Sequence, residues 1–333
     1  MKNIVEKKMR LSNFELLRII CILLIVAHHF SVHSNPITNE TNFNLYLHSA
    51  LATGGKIAVN IFILISGYFM IDSNFKFKKL LKLIFQTLFY TILIYLGLCI
   101  FKYETFNIST LIQQFFPISN KLYWFMTSYI LLYILSPFLN KLLKCCSKKE
   151  HIILLTLLLV LQTNFFDLNN PFNLGDLSWF ITLYISSALV KIHYNELRLN
   201  SYIISFYILS LVTMILLYAF LGVNMWSINH ILCYFISITT FIIFKNLKIK
   251  ESKMINLVSS TTLGVYLLHD NNFIRELLWN KWLDVPYHFQ RGDFWLFSII
   301  SILVVFIICS AIDYIRILLD KLINYIINKK TRH

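Results

Sequence analysis

The sequence predicts an all-α, polytopic integral membrane protein with about ten transmembrane helices and both termini in the cytoplasm. Three observations carry this expectation. First, 57% of the 333 residues are hydrophobic and only 14% are charged, whereas an ordinary soluble domain has roughly 25% charged residues. Mean hydropathy is correspondingly high, at +0.66. Second, many apolar runs approach the roughly 20 residues that a bilayer-spanning helix requires. Third, Lys and Arg alternate between two sets of connecting segments, as they do when positive loops are retained on the cytoplasmic side.

Taken in chain order, the apolar windows fall at 14–33, 50–71, 80–101, 122–143, 150–166, 177–194, 201–222, 226–245, 255–270 and 294–318. The ninth is short and polar beside the others. The charged segment before the first window is long, that window contains Arg18, and no small-x-small site follows it, so it reads as a retained helix and not a cleavable signal. One set of segments holds Lys2, Lys7, Lys8 and Arg10, then Lys76, Lys78, Lys79 and Lys82, then Lys141, Lys144, Lys148 and Lys149. It continues through Lys191, Arg198, Lys245, Lys248, Lys250 and Lys253 to Arg316, Lys321, Lys329, Lys330 and Arg332. The opposite set holds Lys56, Lys102, Lys121, Arg275, Lys281 and Arg291. The alternation persists at every loop, which supports the count of ten, because one missed helix would scramble it downstream. The external segments 34–49, 102–121 and 271–293 are short and aromatic, so no separate soluble domain is expected: residues 1–333 read as one transmembrane domain.

Insertion topology accounts for the net charge of +14, so no nucleic-acid partner is expected. Of the six cysteines, Cys21, Cys99, Cys233 and Cys309 lie inside apolar runs and read as small core residues, while Cys145 and Cys146 sit in a lysine-rich loop. No CxxC spacing or Cys/His cluster points to a metal.

The first window, LLRIICILLIVAHHF, carries Arg18 near one end and His28-His29 near the other. At about 100° and 1.5 Å per residue, Arg18 and His29 differ by only about 20° in direction and about 16 Å along the axis. His28 lies about 80° from Arg18 by the same geometry, so His29 is the histidine in register. Glu15 precedes Arg18 by three residues and can pair with it. Arg18 could snorkel to headgroups while the histidines sit in the outer interface. Against that, ionisable groups inside spans are costly and usually face a polar cavity or pathway.

RIICILLIVAHH has the arginine–ten residues–histidine pattern of the first helix of the membrane acyltransferase-3 family, which the chain resembles. VNIFILISGYFM (59–70) resembles the family's second-helix segment ending in Ser-Gly-aromatic. KKLLKL (78–83) falls where the family has a basic pair, usually two arginines; here the pair is Lys79 and Lys82. LYWFMTSYILLYILSPFLN (122–140) and TLGVYLLHD (262–270) resemble later family segments, so the likeness runs from about residue 11 to 318.

The resemblance implies a membrane-bound O-acyltransferase in a bacterial plasma (cytoplasmic) membrane. It would move an acyl group, most often acetyl from cytoplasmic acetyl-CoA, to a hydroxyl of a cell-surface glycan or its lipid-linked precursor. Arg18, Lys79 and Lys82 would hold the anionic end of acetyl-CoA, although lysine lacks the bidentate fork of arginine. His29 would be the general base, or would itself attack the thioester and carry the acyl group; Arg18 is the second catalytic candidate.

Other residues have both a functional and a structural reading. Thr262, Tyr266 and His269 fall on one helical face, where they could orient a ligand or carry a second proton; a helix-end histidine beside Asp270 is the structural alternative. Asn60 could donate to an oxyanion or glue helices together. Ser66-Gly67 reads as close packing. Trp124, Trp179, Trp279, Trp282 and Trp295 fit an interfacial aromatic belt; Trp124 is also a substrate-supporting candidate, and Trp279 and Trp282 could stack on sugars. The competing function is a transporter or flippase for a polar or lipid-linked substrate without acyl chemistry; a catalytically dead sensor or scaffold is a third. The residues specify neither the sugar nor the oligomeric state.

Overall fold

The computed structural model describes residues 11–34, 43–163, 174–221 and 227–330. The charges at Lys2, Lys7, Lys8, Arg10 and Arg332, and the ends of predicted spans at 164–166, 222 and 226, lie outside them. The described residues are helical, with no strand among them. Five helices are long and apolar enough to cross a membrane: α1 (Ser12–Val32), α2 (Phe43–Met70), α3 (Phe77–Ile100), α5 (Trp124–Cys145) and α14 (Phe294–Lys330). Between α3 and α5 lies a short helix α4 (Ile108–Phe115). Then come α6 (Lys148–Gln162), α7 (Asp176–His193), α8 (Ser201–Leu221) and α9 (Ile231–Asn246), which overlap the predicted fifth to eighth spans. Helices α10 (Lys253–Ser259), α11 (Thr262–His269), α12 (Asn272–Glu276) and α13 (Val285–Phe289), with a π-turn at Leu277–Trp282, precede α14.

Three boundaries differ from those the sequence suggests. The segment 255–270 is not one continuous helix: it breaks between α10 and α11. The run Ser259-Ser260-Thr261-Thr262 explains the break, because short hydroxyl side chains compete for main-chain carbonyls. Ser260 donates to Leu257 O at 2.6 Å, Thr261 to Val258 O at 2.8 Å, and Thr262 to Ser259 O at 2.9 Å. Secondly, the last helix continues past 318 to Lys330, a 37-residue element, or about 55 Å at 1.5 Å per residue. Thirdly, the external segment 102–121 contains α4, whose Asn107 cap accepts from the amides of Ser109 and Thr110. Ile108, Ile112 and Phe115 of α4 are exposed, as in an interfacial helix.

The core forms where α1 packs along α2, and α2 in turn against α7 and α9. Gly67 allows the α2–α7 approach: a Cβ there would lie 2.2 Å from Ser187 Oγ and 3.2 Å from the Tyr184 backbone. Asn60, wholly buried, donates to Ile228 O at 2.8 Å and accepts from Trp179 Nε1 at 3.0 Å. Helix α11 lies among α1, α3 and α14. Gly264 lets it touch α14, since a Cβ would fall 2.1 Å from Asp313 Cγ. The base of α1 is tied down by Asn13, which donates to Phe244 O at 2.9 Å, and by Ser12 Oγ, which accepts from Ser252 N at 3.0 Å.

Candidate active site

Along α1, Glu15, Arg18, Ile22, Ile25 and His29 recur at three- and four-residue steps, which place them on one helical stripe. That stripe forms one wall of a cavity of about 440 Å³, within the range of about 300–1,000 Å³ for small-molecule sites. Gly55, Lys56 and Ser66 of α2, Lys79 of α3, Trp124 and Phe125 of α5, and Ser259 and Tyr266 complete much of the lining. The broken backbone between α10 and α11 contributes Ser259 and Ser260. Irregular backbone at membrane depth is tolerated where it lines such a cavity.

At the Arg18 end, Glu15 Oε1 accepts from Arg18 Nη1 at 2.9 Å, and Glu15 Oε2 accepts from Ser259 Oγ. The carboxylate thus fixes Arg18 and ties α1 to the end of α10, leaving most of the guanidinium N–H donors without a partner among the described residues. Lys79 Nζ lies 5.0 Å from the Tyr133 ring centroid, so the aromatic face steadies a second cation in the same cavity.

At the other end, His29 Nδ1 lies 2.9 Å from His269 Nε2. His269 Nδ1 lies 2.5 Å from Val265 O. A carbonyl can only accept, so His269 Nδ1 carries the hydrogen and its Nε2, in the neutral ring, is an acceptor. His29 must then donate from Nδ1, which leaves Nε2 with the unshared lone pair. Asp270, wholly buried, places Oδ1 3.4 Å from His29 Nδ1, 3.5 Å from His33 Nε2 and 2.9 Å from Arg275 Nε. A positive His29 would therefore face a carboxylate.

Of the residues expected from the sequence, Glu15, Arg18, His29, Lys79, Trp124 and Tyr266 all line the cavity. His269 stands behind His29 and does not line it. Lys82 points elsewhere, into a groove between α3 and α14. Asn60 is absorbed into helix packing by its bonds to Ile228 and Trp179. The belt reading fails for Trp179 and Trp279, which are buried, Trp279 edge-on to Phe30 with centroids 5.7 Å apart. Trp179 is held inside by its bond to Asn60 and its edge contact with Tyr234, and Trp279 by its edge contacts with Phe30 and His269.

Sequence reasoning missed four contributors. His28 also lines the cavity, because the lumen is wide enough to include a residue about 80° off the stripe. Lys56, counted with the external charges although it falls within the second window on a stripe with Asn60 and Gly67, lies on the wall. Asp270 was visible only as the sequence neighbour of His269, and Arg275 only as a charge of the external set. His29, His33 and Asp270 offer three potential metal-ligand atoms within 4.8 Å of one another. Arg275 pairs with Asp270 Oδ1 and His29 Nδ1 is engaged with His269, an arrangement in which the carboxylate also faces His29.

No curated protein and no solved structure matches the chain. A family model described as an acyltransferase domain does, over residues 11–314. That interval includes both the Arg18–His29 stripe and the His269–Asp270 pair behind it, so the cavity lies wholly within the matched region. The chain is a multi-pass membrane protein and belongs to the acyltransferase-3 family.

Proposed function

We propose that the protein transfers an acetyl group from cytoplasmic acetyl-CoA to a hydroxyl of a cell-surface glycan or its lipid-linked precursor, at the plasma membrane of a bacterium. Family membership makes it an acyltransferase with an acyl donor, an acceptor and a lipid bilayer as partners. One observation carries the finer reading: a single cavity has Arg18 and Lys79 toward one end and His29 toward the other, on a helix stripe about 16 Å long. A cationic mouth suits the phosphates of the donor, and a lumen lined largely by apolar side chains such as Ile22, Ile25 and Phe62 suits its largely uncharged pantetheine arm. The charge bias of the loops supports a cytoplasmic position for the Arg18 end, with ten spans and both termini inside. On this topology α6 to α9, and α10 with α11, complete the crossing.

In the reaction, the acceptor hydroxyl attacks the thioester carbonyl while His29 Nε2 removes its proton. The carbon–oxygen bond forms, the carbon–sulfur bond breaks, and the proton passes from His29 to the departing thiolate. Products are the acyl ester and free CoA thiol, with no net proton change. His269 holds the His29 tautomer, and Asp270 faces the transient imidazolium. A variant route has Nε2 attack the thioester first and hand the acyl group on.

The test supplies purified protein in lipid nanodiscs with labelled acetyl-CoA and a glycan acceptor. Label should enter the acceptor as an ester, and His29→Ala should abolish this with the fold intact. Full transfer by His29→Ala would remove the assigned base. Movement of substrate without consumption of acetyl-CoA would favour a transporter. Mass analysis of surface polymers with and without the gene should show an acetyl-sized difference.

A further inference from the structure

A second concavity, of about 970 Å³, runs between α3 and α14 on the outside of the bundle. Its α3 wall extends from Lys82 to Ile100, about 27 Å along the helix axis, and is apolar above Gln86. Phe85, Phe89, Leu93 and Ile100 stand 59%, 41%, 49% and 75% exposed along it. Its α14 wall is confined to one end, where Arg316, Asp320, Lys321 and Asn324, with Ile317, line the same groove as Lys82. The groove is therefore amphipathic along its length: hydrocarbon-like for most of α3, cationic at one boundary.

The charges at that boundary leave one excess positive charge: Lys82, Arg316 and Lys321 against Asp313 and Asp320. Asp313 takes Arg316 Nε at 2.6 Å and Nη2 at 3.1 Å, and Asp320 takes Arg316 Nη1 at 2.7 Å. Both nearby carboxylates are thus committed to Arg316. Lys82 and Lys321 have no ion pair or hydrogen bond among the described residues. Asp313 also accepts from Tyr90 of α3 at 2.6 Å, which locks the two helices together beside the groove and fixes the spacing of the two lysines' helices.

We propose that this groove binds a glycerophospholipid with a net negative headgroup, the phosphate between Lys82 and Lys321 and an acyl chain along Phe85, Phe89 and Leu93. Tails gain little by exchanging lipid for leucine-like side chains, so the chain contact does not select among lipids. Selection falls to the headgroup, and a net positive charge, with two lysines that make no ion pair of their own at a helix–helix groove, favours an anionic one. The same lysines could take a free phosphate, such as that of the acyl donor. The apolar wall continuous with Lys82 favours the lipid.

The experiment is native mass spectrometry of the full chain released from nanodiscs of equal phosphatidylglycerol and phosphatidylcholine. One phosphatidylglycerol should be retained at least tenfold over phosphatidylcholine. Retention should fall at least tenfold in Lys82→Gln/Lys321→Gln, and also in Leu93→Trp, which keeps both lysines and fills the apolar wall. If the double variant does not fold, Leu93→Trp decides the matter. Equal retention of the two lipids, or undiminished retention in a folded variant, overturns the proposal. Displacement of the lipid by excess CoA would also overturn it, assigning the lysines to the donor. Intermolecular disulfide formation by Leu93→Cys would place a second copy in the groove instead.

Discussion

His29 Nδ1 and His269 Nε2 lie 2.9 Å apart, in hydrogen-bond contact across 240 residues of sequence. Because His269 gives its one ring hydrogen, on Nδ1, to Val265 O at 2.5 Å, this one contact dictates which nitrogen of His29 keeps a free lone pair. Replacing His29 by Ala should lower kcat by about 10²–10⁴, the usual contribution of a general base. Replacing His269 by Ala should cost about 10–100-fold, as losses of orienting partners do, with the KM for acetyl-CoA little changed. His269→Gln, which can still offer an acceptor, should retain more activity than His269→Ala. Steady-state kinetics on the purified variants check all three.

Asp270 is buried with Oδ1 3.4 Å from His29 Nδ1. Asp270→Asn removes the charge that faces an imidazolium and leaves Arg275 without its carboxylate. It should reduce kcat at least tenfold and also lower the melting temperature. Arg275→Gln in the same background should recover part of the stability but not the rate. Thermal unfolding and turnover measured on the single and double variants separate the two effects.

Arg18 is held by one carboxylate oxygen of Glu15 at 2.9 Å, with its other donors available. Arg18→Lys keeps the charge and loses the planar fork. The KM for acetyl-CoA should rise about tenfold or more, and Lys79→Gln should act in the same direction less strongly. Competition by free CoA gives a second readout, since its inhibition constant should rise in parallel. An Arg18→Lys protein with unaltered kinetics would remove the planar contact from the mechanism.

Gly55 lies against His28, and a Cβ there would sit 2.2 Å from His28 Cβ. Gly55→Ala should therefore destabilise by about 1–3 kcal/mol, the usual cost of overpacking, and should disturb the histidine wall. Gly54→Ala, whose Cβ would meet Leu24 Cδ2 at 3.2 Å, should be much milder. Thermal melts in detergent, with activity at a permissive temperature, compare the pair.

Much of the site was legible because α1 is a regular helix. Once Arg18 and His29 share a helix, eleven residues fix their common face, and Glu15 follows three residues before. Tyr266 and His269 were legible as a face for the same reason, although the partner of that face was not. Lys82 shows the limit: it lies three residues from Lys79, yet that step rotates it about 60° short of a full turn, enough to turn it out of the cavity and into the groove beside α14. Asn60 and Trp179 found each other across α2 and α7, a pairing that no local period announces.

Hydropathy, loop charge and the period of the first helix are local properties, read by the bilayer and the backbone one segment at a time. The sequence alone therefore determined an all-helical membrane protein and the shared stripe of Arg18 and His29. Which groups close around that stripe depends on how separate helices pack. Steric allowances at Gly55 and Gly264, and the hydroxyl-driven break between α10 and α11, bring His269 and Asp270 to His29. Those contacts join residues more than 200 positions apart, so only the tertiary structure decided the tautomer of His29 and the charge it faces.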